Sequence, residues 1–140
     1  MAVPPEPPIE LLSSLEDNLR VFRERLFAPD NADVLLRRFR SGAFESALLA
    51  IDGMTDSREI DENILKPCMD LPGDAGKDIA EGERIAFLMA HAVSILPIRF
   101  KTNMDDIIAD ALSGQCVLLC EGCSVACVMD TRGFEKRAVG

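Results

Sequence analysis

CVLLCEGCSVACVMDTRG, residues 116–133, is the stretch on which the fold turns. It holds four of the five cysteines, spaced C-x3-C-x2-C-x3-C. Read as two strands around a two-residue Glu121-Gly122 turn, it pairs Cys120 with Cys123 and Cys116 with Cys127. All four thiols then share one sheet face. Strands rise about 3.3 Å per residue, so the two pairs lie roughly 13 Å apart. A tetrahedral zinc needs every sulfur about 2.3 Å away, so these four cannot share one metal while the hairpin stands. A turn over 121–124 would take Cys123 out of the ladder without changing that conclusion. The C-x2-C pair alone could supply two ligands, completed by Cys68 or His91, or act as a redox dithiol. A redox C-x2-C normally opens a helix, whose N-terminus lowers the thiol pKa. Here the β-type sequence SVACVMD follows. Free cysteine is among the most buried residue types. Core thiols in a strand pair are therefore the favoured reading, ahead of metal and redox chemistry.

The rest of the chain suits one such domain. Its 140 residues fall in the usual single-domain range, long enough to form a core without a disulfide or a metal. The apolar fraction of 48% is globular rather than disordered. The net charge of −9 repels phosphate backbones, so no nucleic-acid role is expected, and Arg37-Arg38-Phe39-Arg40 is too short to reverse that. With no Trp and no Tyr, base-stacking platforms are disfavoured. The opening MAVPPEPPIE has neither the basic region nor the apolar core of a signal peptide. Residues 1–8 read as a disordered, proline-rich tail, and residues 9–140 as one domain. Five cysteines without secretory signals are expected to be reduced thiols in a cytosolic compartment.

Periodicity supplies the elements. Ser13 and Glu16 form a capping-box pattern, followed by Leu15, Leu19, Phe22 and Leu26 on one helical face, with Pro29-Asp30-Asn31 as the stop. Residues 34–40 and 46–51 read as a hairpin around Ser41-Gly42-Ala43, and Asp52-Gly53 stops its second strand. Asp56 and Glu59 open a helix carrying Ile60, Ile64 and Cys68, which Pro67 should end near Lys66. Residues 71–78 are a loop, and 79–93 a helix weakened by Gly82. Pro97 begins a short strand. Asn103 caps a helix through Leu112, with Gly114 as its stop. Strands at 115–120 and 124–130 complete the order α-ββ-α-α-β-α-ββ. The expected class is mixed α/β, about five strands with helices packed on the sheet, and two small subdomains as an alternative arrangement.

Other chemistry is thin. His91 is the only histidine and lies in the apolar run MAHAVSIL, without a partnered nucleophile. Carboxylates cluster at Asp52, Asp56, Glu59, Asp61 and Glu62, and at Asp105, Asp106 and Asp110, but the D-x-D-x-D-G calcium pattern is absent. Helix caps and a solvated acidic face account for them. Phosphate-binding glycine loops are absent too. No catalytic, cofactor-binding or metal residue is assigned, and the expectation is a non-enzymatic domain with no cofactor.

Three stretches in order resemble one family. SLEDNLRVFRERLFAPDNADVLLRRFRSG (14–42) is similar to its opening helix, loop and Arg-x-Phe strand. ALLAIDGMTDSREIDENILKPCM (47–69) resembles its block of apolar strand, Ile-Asp-Gly and a helix ending Ile-Leu-Lys-Pro. ALSGQCVLLCEGCSVACVMDTRGFEKRAV (111–139) resembles its closing strand, glycine turn and strand. The family is the A-subunit type of spore germination proteins, including the nutrient germinant receptor A subunits and the stage V sporulation AF proteins. The resemblance implies that Cys116, Cys120 and Cys127 replace aliphatic or aromatic strand residues. It implies that the chain is the N-terminal soluble domain of a larger protein of the spore inner membrane, lying on the cytoplasmic side. It implies partners of the germinant receptor B and C types, homo-oligomers of the whole protein, and a part in germinant sensing and ion release. The positions matched to the distinctive blocks are Asp52, Gly53, Asp130, Arg132 and Arg137, expected in turn formation or in contacts with neighbouring domains. A small-solute-binding module is the alternative, and a thiol- or metal-dependent soluble protein a weaker one.

Overall fold

Charge sorts the strands. β1 (Val34–Ser41) carries Arg37, Arg38 and Arg40, and β3 (Pro97–Lys101) carries Arg99 and Lys101. By contrast β2 (Phe44–Ile51), β4 (Cys116–Cys120) and β5 (Ala126–Met129) are apolar over most of their length. Strands covered on both faces need apolar residues at nearly every position, while arginine, lysine and proline belong at edges. The order in the sheet is β1-β2-β4-β5-β3, with every neighbour antiparallel. The structure, a computed structural model, describes residues 9–26, 33–95 and 97–131. The expected mixed α/β class and element order are found. Both hairpins join one sheet, which replaces the arrangement in two subdomains.

Alternation then assigns the faces. Phe39, Leu48, Leu118 and Met129 point to one side, against Ile60, Ile64 and Cys68 of the segment after β2 and Ile85 and Leu88 of α4 (Arg84–His91). Ala47, Leu49, Val117 and Val128 point to the other, against α1 (Leu15–Arg25) and α5 (Met104–Leu112). The sheet is thus the middle of three layers. Leu15, Leu19 and Phe22 of α1 are completely buried, each stabilising the fold by roughly 1.5–3 kcal/mol. Asn18 shares that face because its side chain is fully used: Oδ1 accepts the Leu12 N–H at 2.8 Å and Nδ2 donates to the Leu12 carbonyl at 2.7 Å.

Local chemistry corrects several boundaries. The cap of α1 is Ser14, not Ser13: its hydroxyl accepts the Asp17 N–H, while the Ser13 carbonyl accepts Gly122 N–H at 2.8 Å. Pro67 does not end its helix. α2 (Ser57–Ile60), capped by Asp56, passes through a π-helical turn (Asp61–Leu65) into α3 (Lys66–Met69). Proline has no N–H to give the carbonyl four residues back, which belongs to Asn63. Ser94 supplies the missing donor, its N–H reaching that carbonyl at 3.1 Å and its hydroxyl reaching Asn63 Oδ1 at 2.9 Å. The helix expected from residue 79 starts at Arg84, after a single 3-10 turn (Glu81–Glu83) at the glycine. The Asn103 cap and the Gly114 stop, at φ 98°, are as read. The Pro29-Asp30-Asn31 stop and residues 1–8 lie outside the described residues. Among those described, no helix is long and apolar enough to cross a membrane.

Candidate functional site

All five cysteines are buried and free, and all join the core on one face of the sheet. The register differs from the tight-turn expectation. Leu118 faces Cys127 and Cys116 faces Met129, so the second strand is displaced by two residues. An even shift keeps the strand thiols on the same face. Residues 120–123 do form the tight hydrogen-bonded turn, Cys123 N–H to Cys120 carbonyl at 3.1 Å with Gly122 at φ 89°, but pairing does not resume at Cys123, and β5 begins only at Ala126. Cys123 then leaves the ladder and its Sγ donates to the Glu81 carbonyl at 3.0 Å. Burial pushes the Cys68 and Cys127 thiols up to about 12. It raises Cys116 and Cys120 as well. Cys123 is drawn below the ordinary thiol range, first by the Cys120 thiol donating to it, then by the N–H groups of Ile85 and Arg84 at the start of α4. Among the described residues, no group of three or more His, Cys, Asp or Glu is placed to hold a metal ion. His91 is exposed and stacks on Phe87, with ring centroids 4.7 Å apart.

The residues matched to the family blocks fall partly together. Gly53, at φ 86°, is the third residue of a turn closed by Met54 N–H to the Ile51 carbonyl at 3.2 Å. Positive φ is what glycine supplies there. Asp52 is exposed, and its main-chain N–H bonds the Asp33 carbonyl at 2.6 Å. Asp56 N–H donates to the Thr131 carbonyl at 2.6 Å, which brings the segment after this turn against half-buried Asp130 and the end of the described chain. Arg132 and Arg137 lie outside the described residues.

A surface feature not anticipated from the sequence runs along β1. Two adjoining clefts, of about 230 and 350 Å³, share Arg37, Asp61 and Leu65 between the β1 edge and α2–α3. Leu35, Leu48, Ile60 and Leu65 make the floor of the smaller one. Leu35 and Met69 are among the few exposed large apolar side chains. Arg38 is tied to Glu16 and Glu45, but Arg37 turns into the groove, with Nη2 4.0 Å from the Met69 sulfur. Among the described residues no strand pairs with the outer edge of β1. The sequence signal was present: VLLRRFRS breaks strict alternation with two adjacent leucines and places Arg37 on the Leu48 side of the sheet.

An antiparallel five-stranded sheet between two helical layers, with thiols serving as packing and a groove along a basic edge, defines a mixed α/β domain whose distinctive features are surfaces. The Bacillus/Clostridium GerA spore germination protein family matches residues 21–140, and the chain belongs to that family. Its fold is similar to the crystal structure of the N-terminal domain of the A subunit of the Bacillus megaterium spore germinant receptor GerK3. That likeness has a TM-score of 0.74 at 21% identity, and covers 91% of this chain and 50% of the other. This chain therefore spans half the length of that solved chain. No curated protein sequence matches it. The family resemblance read from residues 14–42, 47–69 and 111–139 is confirmed.

Proposed function

We propose that this domain is the soluble N-terminal signalling and assembly part of a spore germination membrane protein of the germinant receptor A-subunit type. The observation that carries the reading is the family match over residues 21–140, which takes in every strand of the sheet. The domain itself is not an enzyme. It transmits a nutrient signal within a complex with B- and C-type subunits in the spore inner membrane, from the cytoplasmic side, and contributes to ion release. The whole protein forms homo-oligomers. Asp52, Gly53, Asp130, Arg132 and Arg137 serve turn formation and contacts toward the neighbouring parts of the protein.

The β1 groove is the surface suited to a neighbour. An open edge offers main-chain N–H and C=O groups for strand addition. Three arginines on that strand, in a chain of net charge −9, favour an acidic, apolar extended segment of another receptor subunit over a second β1. Small-solute capture is the second reading, favoured by the joined clefts; the smaller, at about 230 Å³, lies below the roughly 300–1,000 Å³ of most ligand pockets. Fractionation of spores carrying the tagged full-length protein tests the main reading. Recovery in the inner membrane, with the domain protected until the membrane is opened, is the expected result. Recovery in the soluble fraction would overturn it. A ligand-dependent rise in Tm of the isolated chain across a nutrient panel would favour solute capture instead.

A further inference from the structure

We propose that Cys120 and Cys123 form a reversible dithiol–disulfide site that exchanges with low-molecular-weight disulfides. The turn geometry places them suitably. Residues closing a hydrogen-bonded β-turn have Cα atoms less than about 7 Å apart, inside the disulfide range of roughly 4.4–6.8 Å for most of that span. The other three cysteines are placed differently. Cys116 and Cys127 face Met129 and Leu118 across the ladder, and Cys68 sits on α3.

The surroundings of Cys123 suit both of its ionisation states. When protonated, its sulfur donates to the Glu81 carbonyl at 3.0 Å. When ionised, it meets the N–H groups of Arg84 and Ile85 at the start of α4, the Arg84 charge and the Cys120 thiol. A helix N-terminus with a neighbouring guanidinium is the setting in which a thiolate is stabilised. The second thiol is also held. Cys120 Sγ lies 3.4 Å from Ser46 Oγ, which is 2.6 Å from Ser41 Oγ. Each thiol of the pair thus has a polar partner in an otherwise apolar layer: the Ser41–Ser46 hydroxyls beside Cys120, and the Glu81 carbonyl beside Cys123. The exposed Glu81–Glu83 turn supplies the carbonyl beside Cys123, and a displacement of that turn would open the sulfur to a small disulfide.

The exchange balances as follows. The Cys123 thiolate attacks one sulfur of RSSR, whose S–S bond breaks. A mixed disulfide forms and RS⁻ leaves, taking up a proton. Cys120 loses its proton and attacks the Cys123 sulfur, releasing the second thiol. Two electrons pass from the protein to the small disulfide, giving one protein disulfide and two RSH. The turn is also where the helical layers are tied. Glu121 Oε2 accepts the Leu15 N–H at 2.9 Å, and the Glu121 carbonyl accepts Arg84 Nη1 at 2.6 Å. Closing the disulfide withdraws Cys123 from Glu81 and alters the hold of that turn on both α1 and α4.

The test incubates the folded 140-residue chain with oxidised glutathione at pH 7.5, then blocks free thiols and maps the peptides by mass spectrometry. The expected product lacks two hydrogen atoms, carries a Cys120–Cys123 link, and reverts with dithiothreitol. Cys120→Ala is expected to stop at one glutathione adduct on Cys123, formed roughly tenfold faster than adducts on Cys68, Cys116 or Cys127. Oxidation of all five cysteines at the rate of global unfolding would overturn the proposal. So would a first adduct on any residue other than Cys123. If Cys120→Ala does not fold, the wild-type linkage map decides alone.

Discussion

Gly42 and Gly53 both have positive φ, at 59° and 86°, and alanine at each position separates torsional strain from steric strain. A side chain in that region costs roughly 1–2 kcal/mol, and losing glycine returns about 0.4–1 kcal/mol by restricting the unfolded chain. At Gly53 a new Cβ meets nothing within 4 Å. G53A should therefore cost about 1 kcal/mol, the torsional remainder alone. At Gly42 the Cβ would stand 2.4 Å from the Ala75 carbonyl oxygen. That oxygen accepts the Ala43 N–H at 2.9 Å, so the 72–76 loop must move off the hairpin. Loss of that bond adds about 1–3 kcal/mol, which brings G42A to about 3 kcal/mol. For a domain of this size 1 kcal/mol is worth roughly 3–5 °C. Thermal melts of the two variants should show G53A about 4 °C below wild type and G42A at least about 10 °C below. Urea titration should give an unchanged m value for both. Equal losses, or a larger loss for G53A, would refute the reasoning. If G53A in the full-length protein abolishes germination despite its small thermal cost, the turn has a role beyond folding.

Burial raises the thiols of Cys68, Cys116, Cys120 and Cys127 above the ordinary thiol range, near 9. Their contribution to stability is therefore complete below pH 9 and is lost as pH rises toward 12. The loss is about 1.4 kcal/mol per pH unit for each thiol ionised only in the unfolded chain. Cys123, shifted downward, acts in the opposite direction below pH 9. A steep fall in Tm between pH 9 and 10.5 is expected, and a flat profile would contradict the buried-thiol assignment. The Lys101–Asp110 pair is 2.7 Å long with side chains only 21% and 14% exposed. Lys101→Met should cost about 1–3 kcal/mol by leaving a largely buried carboxylate unpaired. Arg58→Ala, which removes an exposed pair with Glu62, should leave the melt unchanged. Arg37→Glu in the full-length protein should abolish nutrient-triggered germination while membrane abundance stays normal; normal germination would exclude the β1 groove as a contact surface.

Much of the fold could be read from residue spacing because local chemistry and burial agreed. Leu15, Leu19, Phe22 and Leu26 mark one helical face, Asn103 with Gly114 brackets α5, and Gly53 ends β2. The departures came where distant groups intervened. Pro67 reads as a helix stop until Ser94, far along the chain, supplies the donor that proline lacks. Ser13 reads as a cap until its carbonyl is taken by Gly122. Cys123 leaves the ladder because α4 and Glu81 offer it better partners than a strand does. The candidate surfaces were harder to see. Arg37 differs from Arg38 in function only through the sheet face it occupies, and that depends on the register with β2. Family membership was legible from three ordered blocks, none of which carries a chemical motif of its own.

If this domain serves nutrient-triggered germination as part of a larger membrane protein, its removal silences that response. The most direct measurement deletes in frame the codons for residues 9–131 from the chromosomal gene of the source organism. Purified spores are then exposed to a panel of single amino acids, sugars and nucleosides, and loss of refractility is followed. Failure to respond to at least one nutrient that triggers the parent, with the response restored by the intact gene, is the predicted result. Responses equal to the parent's across the whole panel would contradict the account.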